Sequence, residues 1–132
     1  MSDSLVIIPT YNEKENIEAI TRAVFSLTYP FHVLVVDDNS ADGTADIVKK
    51  LQLEFPGKLH LEQRAGKLGL GTAYIHGFKW ALARTYQYIF EMDADFSHNP
   101  NDLIRLRKAC ADDGADLAIG SRYIKGVNVV NW

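Results

Sequence analysis

Apolar positions along this chain follow two rhythms that take turns. Five short runs, at 5–9, 32–37, 58–63, 88–93 and 116–120, are rich in β-branched and aromatic residues and have the length of buried strands. Between them the apolar residues recur at helical spacing: Ile17, Ile20, Val24 and Leu27; then Ala45, Val48 and Leu51; then a stretch over about 72–84; then Leu103, Leu106 and Cys110. Start signals accompany three of these helices. Asn12 reads as an N-cap with Glu15 closing a capping box, Asp42-Gly43-Thr44 leads into the second helix, and Asn99 precedes Pro100 at a first helical position. Strands alternating with helices predict an α/β fold, a mainly parallel sheet with helices on both faces, because right-handed crossovers place them there.

In such a sheet ligands bind beyond the carboxyl ends of the strands. The polar segments fall there: Thr10-Tyr11-Asn12-Glu13 after the first strand, Asp37-Asp38-Asn39-Ser40 after the second, Arg64 to Thr72 after the third, Asp93 to His98 after the fourth, and Ser121-Arg122 after the fifth. Asp93-Ala94-Asp95 is the sharpest of these. Side chains alternate along extended backbone, so both carboxylates project to one side. Held close they repel, and a bound cation reverses that penalty. Oxygen ligands favour Mg²⁺ or Mn²⁺ over zinc, and Mg²⁺ completes its shell with water and phosphate, which points to a phosphorylated substrate. An isolated Asp-x-Asp often merely faces solvent at a strand end; four other polar loops at the same edge separate this pair from that background.

Composition narrows the field. The 132 residues make one domain, 47% hydrophobic, with a net charge of −3 and no dense basic stripe, which argues against nucleic acid. The single cysteine, Cys110, excludes an intrachain disulfide and reads as a buried structural thiol. No apolar run has the length of a membrane span and no signal-peptide pattern opens the chain, so a soluble, cytoplasmic segment is expected. Asn128 to Trp132 follows a functional-looking loop without cap or polar tail, which suggests the N-terminal part of a longer protein.

The remaining motifs divide. Tyr11, at a loop-to-helix junction, offers a flat face to a nucleobase or ribose, or is simply an exposed ring at a capped helix start. Asp38 suits hydrogen bonds to a base or ribose, while Asp37 suits loop amides. Arg64-Ala65-Gly66-Lys67-Leu68-Gly69-Leu70-Gly71-Thr72 fails as a P-loop, since Leu68 follows Lys67, and fails as a dinucleotide fingerprint, since Tyr74 stands at the third small position. Arg64 and Lys67 could still fold over a diphosphate. His98 reads as structural or supporting, and Arg105, Arg107 and Lys108 as a solvated face. Arg122 could fork onto a phosphate.

Together, Val6-Ile7-Ile8-Pro9-Thr10-Tyr11-Asn12-Glu13, Val35-Val36-Asp37-Asp38-Asn39-Ser40, Asp93-Ala94-Asp95 and Gly120-Ser121-Arg122-Tyr123 resemble a family 2 glycosyltransferase with the Rossmann-like GT-A nucleotide-sugar fold. Gly66 to Tyr74 and Met92-Asp93-Ala94-Asp95-Phe96-Ser97-His98 resemble dolichol- or polyprenol-phosphate mannose synthases. The resemblance implies GDP-mannose as donor, a polyprenyl phosphate at the cytoplasmic membrane face as acceptor, inversion at the anomeric carbon, and Mg²⁺ or Mn²⁺ as cofactor. It further implies that Pro9, Tyr11, Glu13 and Asp38 hold the nucleoside, that Lys67 helps bind the donor, that Asp93, Asp95 and Ser97 serve the metal, and that Arg122 meets the phosphates. Transfer from a UDP-sugar, or a non-catalytic domain that senses nucleotide sugars, are the competing readings. A phosphoacceptor receiver is discounted because Gln63-Arg64 stands where its third strand would end in aspartate.

Overall fold

The computed structural model describes residues 3–65, 70–95, 99–113, 117–120 and 127–130, and the side chains of 3–65, 71–95 and 99–108. The elements run β1 (Ser4–Thr10), α1 (Ile17–Phe25), β2 (His32–Asp37), α2 (Thr44–Glu54), β3 (Leu59–Gln63), α3 (Leu70–Leu82), β4 (Tyr88–Glu91), α4 (Asp102–Asp113), β5 (Leu117–Gly120) and β6 (Val127–Val130). They form one sheet in the order β3-β2-β1-β4-β5-β6. Neighbours pair in parallel except β6, which returns antiparallel to β5. The strand order reverses between β1 and β4, and a doubly wound sheet opens its ligand crevice at such a reversal.

Alternation along the strands divides the core between two faces. Val6, Ile8, Val33, Val35, Phe90 and Met92 point to the face covered by Ile17, Ile20 and Val24 of α1, Val48 and Leu51 of α2, and Leu103 and Leu106 of α4. Leu5, Ile7, Leu34, Val36 and Ile89 point to the other, where α3 lays down Ala73 and Ala81. With both faces covered, all of β1 is buried, as a central parallel strand requires. Helix α3 reaches its close position because Gly77 has no side chain: a Cβ there would lie 2.7 Å from Ile7 Cγ2. This approach carries the first turns of α3 toward the end of β4.

Pro9 sits in the middle of the sheet, where a missing N–H would ordinarily break a ladder. Its position explains why it does no harm. Ile7 C=O accepts from Met92 N–H at 3.0 Å on the β4 side, whereas Thr10 C=O accepts from Asp38 N–H at 3.0 Å on the β2 side. By alternation Pro9 turns toward β4, beyond Glu91, where β1 and β4 are no longer paired. The proline stands at the fork of the crevice.

Several expected boundaries shift. Asn12 does not cap α1: it adopts a left-handed conformation, φ 55°, and its side chain accepts from Ala41 N–H at 3.0 Å across the loop. The helix begins at Ile17, so Glu15 closes no capping box. Asn99 behaves as expected, its Oδ1 accepting from Asn101 N–H at 3.0 Å beside Pro100. Strand β4 ends at Glu91 rather than 93, and β6 was not anticipated. Arg107 is not simply solvated, because it pairs with Asp3 at 2.9 Å and lies 3.8 Å over the Tyr29 ring. Among the described residues no helix is long and apolar enough to cross a membrane.

Candidate functional site: the carboxyl edge of the sheet

The loops after β1 and β2 are locked to each other. Fully buried Asp37 accepts from Thr10 Oγ1 at 2.7 Å, from Ser40 Oγ at 2.6 Å and from Ser40 N–H at 3.0 Å. The contacts continue outward, with Asn12 N–H on Ser40 Oγ (2.8 Å), Glu13 N–H on Thr44 Oγ1 (3.0 Å) and Lys14 N–H on Asp42 Oδ2 (3.1 Å). Asn39, φ 56°, makes the left-handed bend that lets Ser40 fold back onto Asp37. Asp37 is thus the structural member of its pair. On this frame Tyr11 holds its ring out, 43% exposed, while Pro9 is buried at the fork and Glu13 is half-buried at the loop's turn.

Asp38 faces Arg64. The guanidinium donates to both carboxylate oxygens, Nε–Oδ1 2.6 Å and Nη2–Oδ2 2.8 Å, and both side chains are only 7% exposed. Arg64 Nη1 also donates to Thr72 Oγ1 at 3.0 Å, and its backbone N–H to Asp37 C=O at 2.8 Å. Arg64 therefore braces the end of β3 and the start of α3 against Asp38.

Past β4 the ladder stops and the chain turns at Ala94-Asp95; Met92 and Ala94 are buried in the core, Asp93 is half-buried and Asp95 exposed, and the charges of Asp93 and Asp95 both act on the Tyr74 phenol. Tyr74, brought up by α3, donates its hydroxyl to Asp93 Oδ1 at 2.8 Å. Burial, then the charge of Asp93, holds the Tyr74 phenol far above its ordinary range, so it remains a donor. Burial and Asp93 also push the Glu91 carboxyl up to about 7.

The donor set at this edge suits a hard divalent cation: two carboxylates two positions apart, no thiolate among the described side chains, and one oxygen already oriented by a hydrogen bond. Among the described residues no group of three or more His, Cys, Asp or Glu side chains comes together for a metal. Asp93 and Asp95 would thus hold such an ion with water and substrate phosphate, the usual shell of Mg²⁺. Lys67, Ser97, His98 and Arg122 lie outside the described residues. The sequence offered no sign of Tyr74 as a partner of Asp93, or of Arg64 as a partner of Asp38, because each contact joins separate segments of chain.

With this geometry in place, the likeness to other proteins is decisive. The family model described as "Glycosyl transferase family 2" matches residues 5–132. The chain belongs to glycosyl transferase family 2. Among its relatives are the polyprenol monophosphomannose synthase of Mycolicibacterium smegmatis, 52% identical over 98% of this chain and 48% of that protein, and the dolichol-phosphate mannosyltransferase of Pyrococcus furiosus, 42% identical over 96% and 35%. The chain spans about half the length or less of these curated relatives. Among solved structures, this family 2 chain matches a Pyrobaculum calidifontis mannosyltransferase in complex with GDP-Man and Mn²⁺ at TM-score 0.72, with 29% identity, covering 83% of this chain and 32% of that one. It also matches S. aureus TarS in complex with UDP at TM-score 0.70, with 26% identity, covering 86% and 33%. The expected GT-A architecture is therefore the observed one.

Proposed function

We propose that this chain carries the donor site of a transferase that moves mannose, with inversion, from GDP-mannose to a polyprenyl phosphate at the cytoplasmic face of a membrane. The observation that carries the reading is that Asp93 and Asp95 follow β4 at the β1–β4 reversal, where the loop after β1 holds out Tyr11. The relatives, a polyprenol monophosphomannose synthase and an undecaprenyl-phosphate mannosyltransferase among them, support mannose and a polyprenyl phosphate, and the complex of the Pyrobaculum protein supports GDP-mannose.

In this reading Tyr11 stacks on the guanine or ribose, Pro9 and Glu13 shape the pocket wall, and Asp38, held by Arg64, accepts hydrogen bonds from the nucleoside. Asp93 and Asp95 would hold Mg²⁺ or Mn²⁺, and such an ion would supply positive charge against the negative charge growing on GDP as it leaves. Ser97 assists at the metal, while Lys67 and Arg122 meet phosphate oxygens. An oxygen of the acceptor phosphate forms the new bond to C1 of mannose as the bond from C1 to the GDP oxygen breaks, its electron pair leaving with GDP. The acceptor's second pKa of about 6 leaves it largely ionised near neutrality, so the site needs no general base. Tyr74 acts through Asp93, fixing which oxygen faces the ligand.

Calorimetric titration with GDP, GDP-mannose and UDP, each with and without Mn²⁺, tests the reading. Metal-dependent preference for the guanine nucleotides is the expected result. Preference for UDP would favour the second reading, a UDP-sugar transferase, which the likeness to the UDP complex of TarS supports.

A further inference from the structure

At the opposite, amino-terminal edge of the sheet lies a cavity of about 520 Å³, lined by His32, Lys58, His60, Arg84 and Tyr86 and floored by the Pro56-Gly57 turn. His32 opens β2 while Asp37 closes it, so about 17 Å of strand separates this cavity from the donor edge. Several basic groups elsewhere pair with carboxylates: Arg22 with Glu18 and Glu54, Arg64 with Asp38, His76 with Glu62, Arg107 with Asp3. In a chain of net charge −3, four basic side chains here line one pocket that no described carboxylate enters.

The groups are held for donation. Arg84 lies 3.5 Å over the Trp80 ring and donates to Trp80 C=O at 2.7 Å, which leaves other guanidinium N–H groups for a ligand. Tyr86 OH and His32 Nδ1 are 2.8 Å apart. Burial raises the Tyr86 phenol, more than Arg84 lowers it, so the hydroxyl stays protonated beside the imidazole. His60 packs against Trp80 at 4.9 Å. Burial, then His60, the amino terminus and Lys58, disfavour the charged form of His32; burial, then Arg84, does the same for His60. A bound anion would reverse those repulsions.

We propose that this cavity binds a phosphate-bearing small anion, its phosphate among Lys58, Arg84, His32 and His60 and the rest of the molecule against the Tyr86 ring. A soluble organic phosphate and the headgroup of an anionic phospholipid share this chemistry. The site is independent of the mannosyl-transfer reading.

The test follows the histidine ring signals by NMR in the protein titrated with inorganic phosphate, with glycerol 3-phosphate, and with phosphatidylcholine vesicles with and without phosphatidylglycerol, against chloride at equal ionic strength. Saturable shifts at His32 and His60 are expected at pH 7. Response to the soluble phosphates identifies a metabolite site, and response only to anionic vesicles identifies a headgroup site. Lys58 and Arg84 are exposed, so K58Q/R84Q should keep its melting temperature and lose the shifts. Asp95→Ala should retain them. No phosphate-specific shift in any arm, an unchanged response in K58Q/R84Q, or loss in Asp95→Ala would overturn the proposal.

Discussion

Asp37-Asp38 and Asp93-Asp95 are both acidic pairs at the carboxyl edge of one sheet, yet the chain treats them oppositely. Asp37 spends its oxygens on Thr10 and Ser40, and Asp38 is forked by Arg64, both deep in the fold. Asp95 is exposed, and Asp93 is half-buried with one oxygen steered by Tyr74. The first pair ties three loops together from inside the fold, whereas the second stands at its rim, with Asp95 in solvent. Carboxylates clustered at a sheet edge thus do not share one role; depth of burial separates them.

The contrast breaks first at Asp95. In the proposed transferase Asp95→Ala should lower turnover by about a thousandfold, the scale of losing charge stabilisation at a leaving group, with an unchanged melting curve. Activity within about tenfold of the wild type would put Asp95 among ordinary solvent-facing residues. Asp37→Ala should do the reverse. Removing it leaves Thr10 and Ser40 without their acceptor in a buried place, at a cost of about 3 kcal/mol, read as a lower urea midpoint at unchanged slope.

Tyr74→Phe tests the halfway case. The packing survives while the hydroxyl on Asp93 is lost, so affinity for Mn²⁺ should fall about tenfold with little change in thermal stability. A loss of stability without a change in metal affinity would make Tyr74 a core residue only.

A carboxylate away from this edge gives the smallest effect. Burial raises the Asp3 carboxyl, but hydrogen bonds from Arg107, Tyr29 and Ser4 outweigh it and hold the group at about 2, below its ordinary 3.8. Its contribution is complete above pH 4 and is lost as pH falls through 2. After allowance for its partial exposure this is about 1 kcal/mol. Asp3→Asn should flatten the stability profile over that window, as measured by urea titration at a series of pH values.

Much of this was legible in the chain. Short apolar runs and helical spacing located five of the six described strands and the four described helices, because an α/β core leaves little choice about which faces are apolar. Asp93 and Asp95 stood out because they end an apolar run. Asn12 misled because its cap chemistry is used across the interlocked loops, a contact that local spacing does not encode. Strand β6 was missed because its pairing depends on where β5 lies. Tyr74 was visible only as the wrong residue for a dinucleotide fingerprint; its bond to Asp93 depends on the close approach of α3 at Gly77. The basic cavity escaped for the same reason, since His32, His60 and Arg84 meet only after three separate elements have packed.

The central place of β1 also has a kinetic consequence. Its ladder neighbours are β2, which follows closely in the chain, and β4, which places Ile89 beside Leu5. On the ribosome β1, β2 and β3 can assemble, and the Asp37 loops lock, while β4 is still being made. The second wall of the crevice arrives only after a long loop has closed. In the proposed transferase nucleotide recognition is therefore a late event in the life of the nascent chain, and the exposed β4 side of β1 is the surface that must be kept from other strands until then.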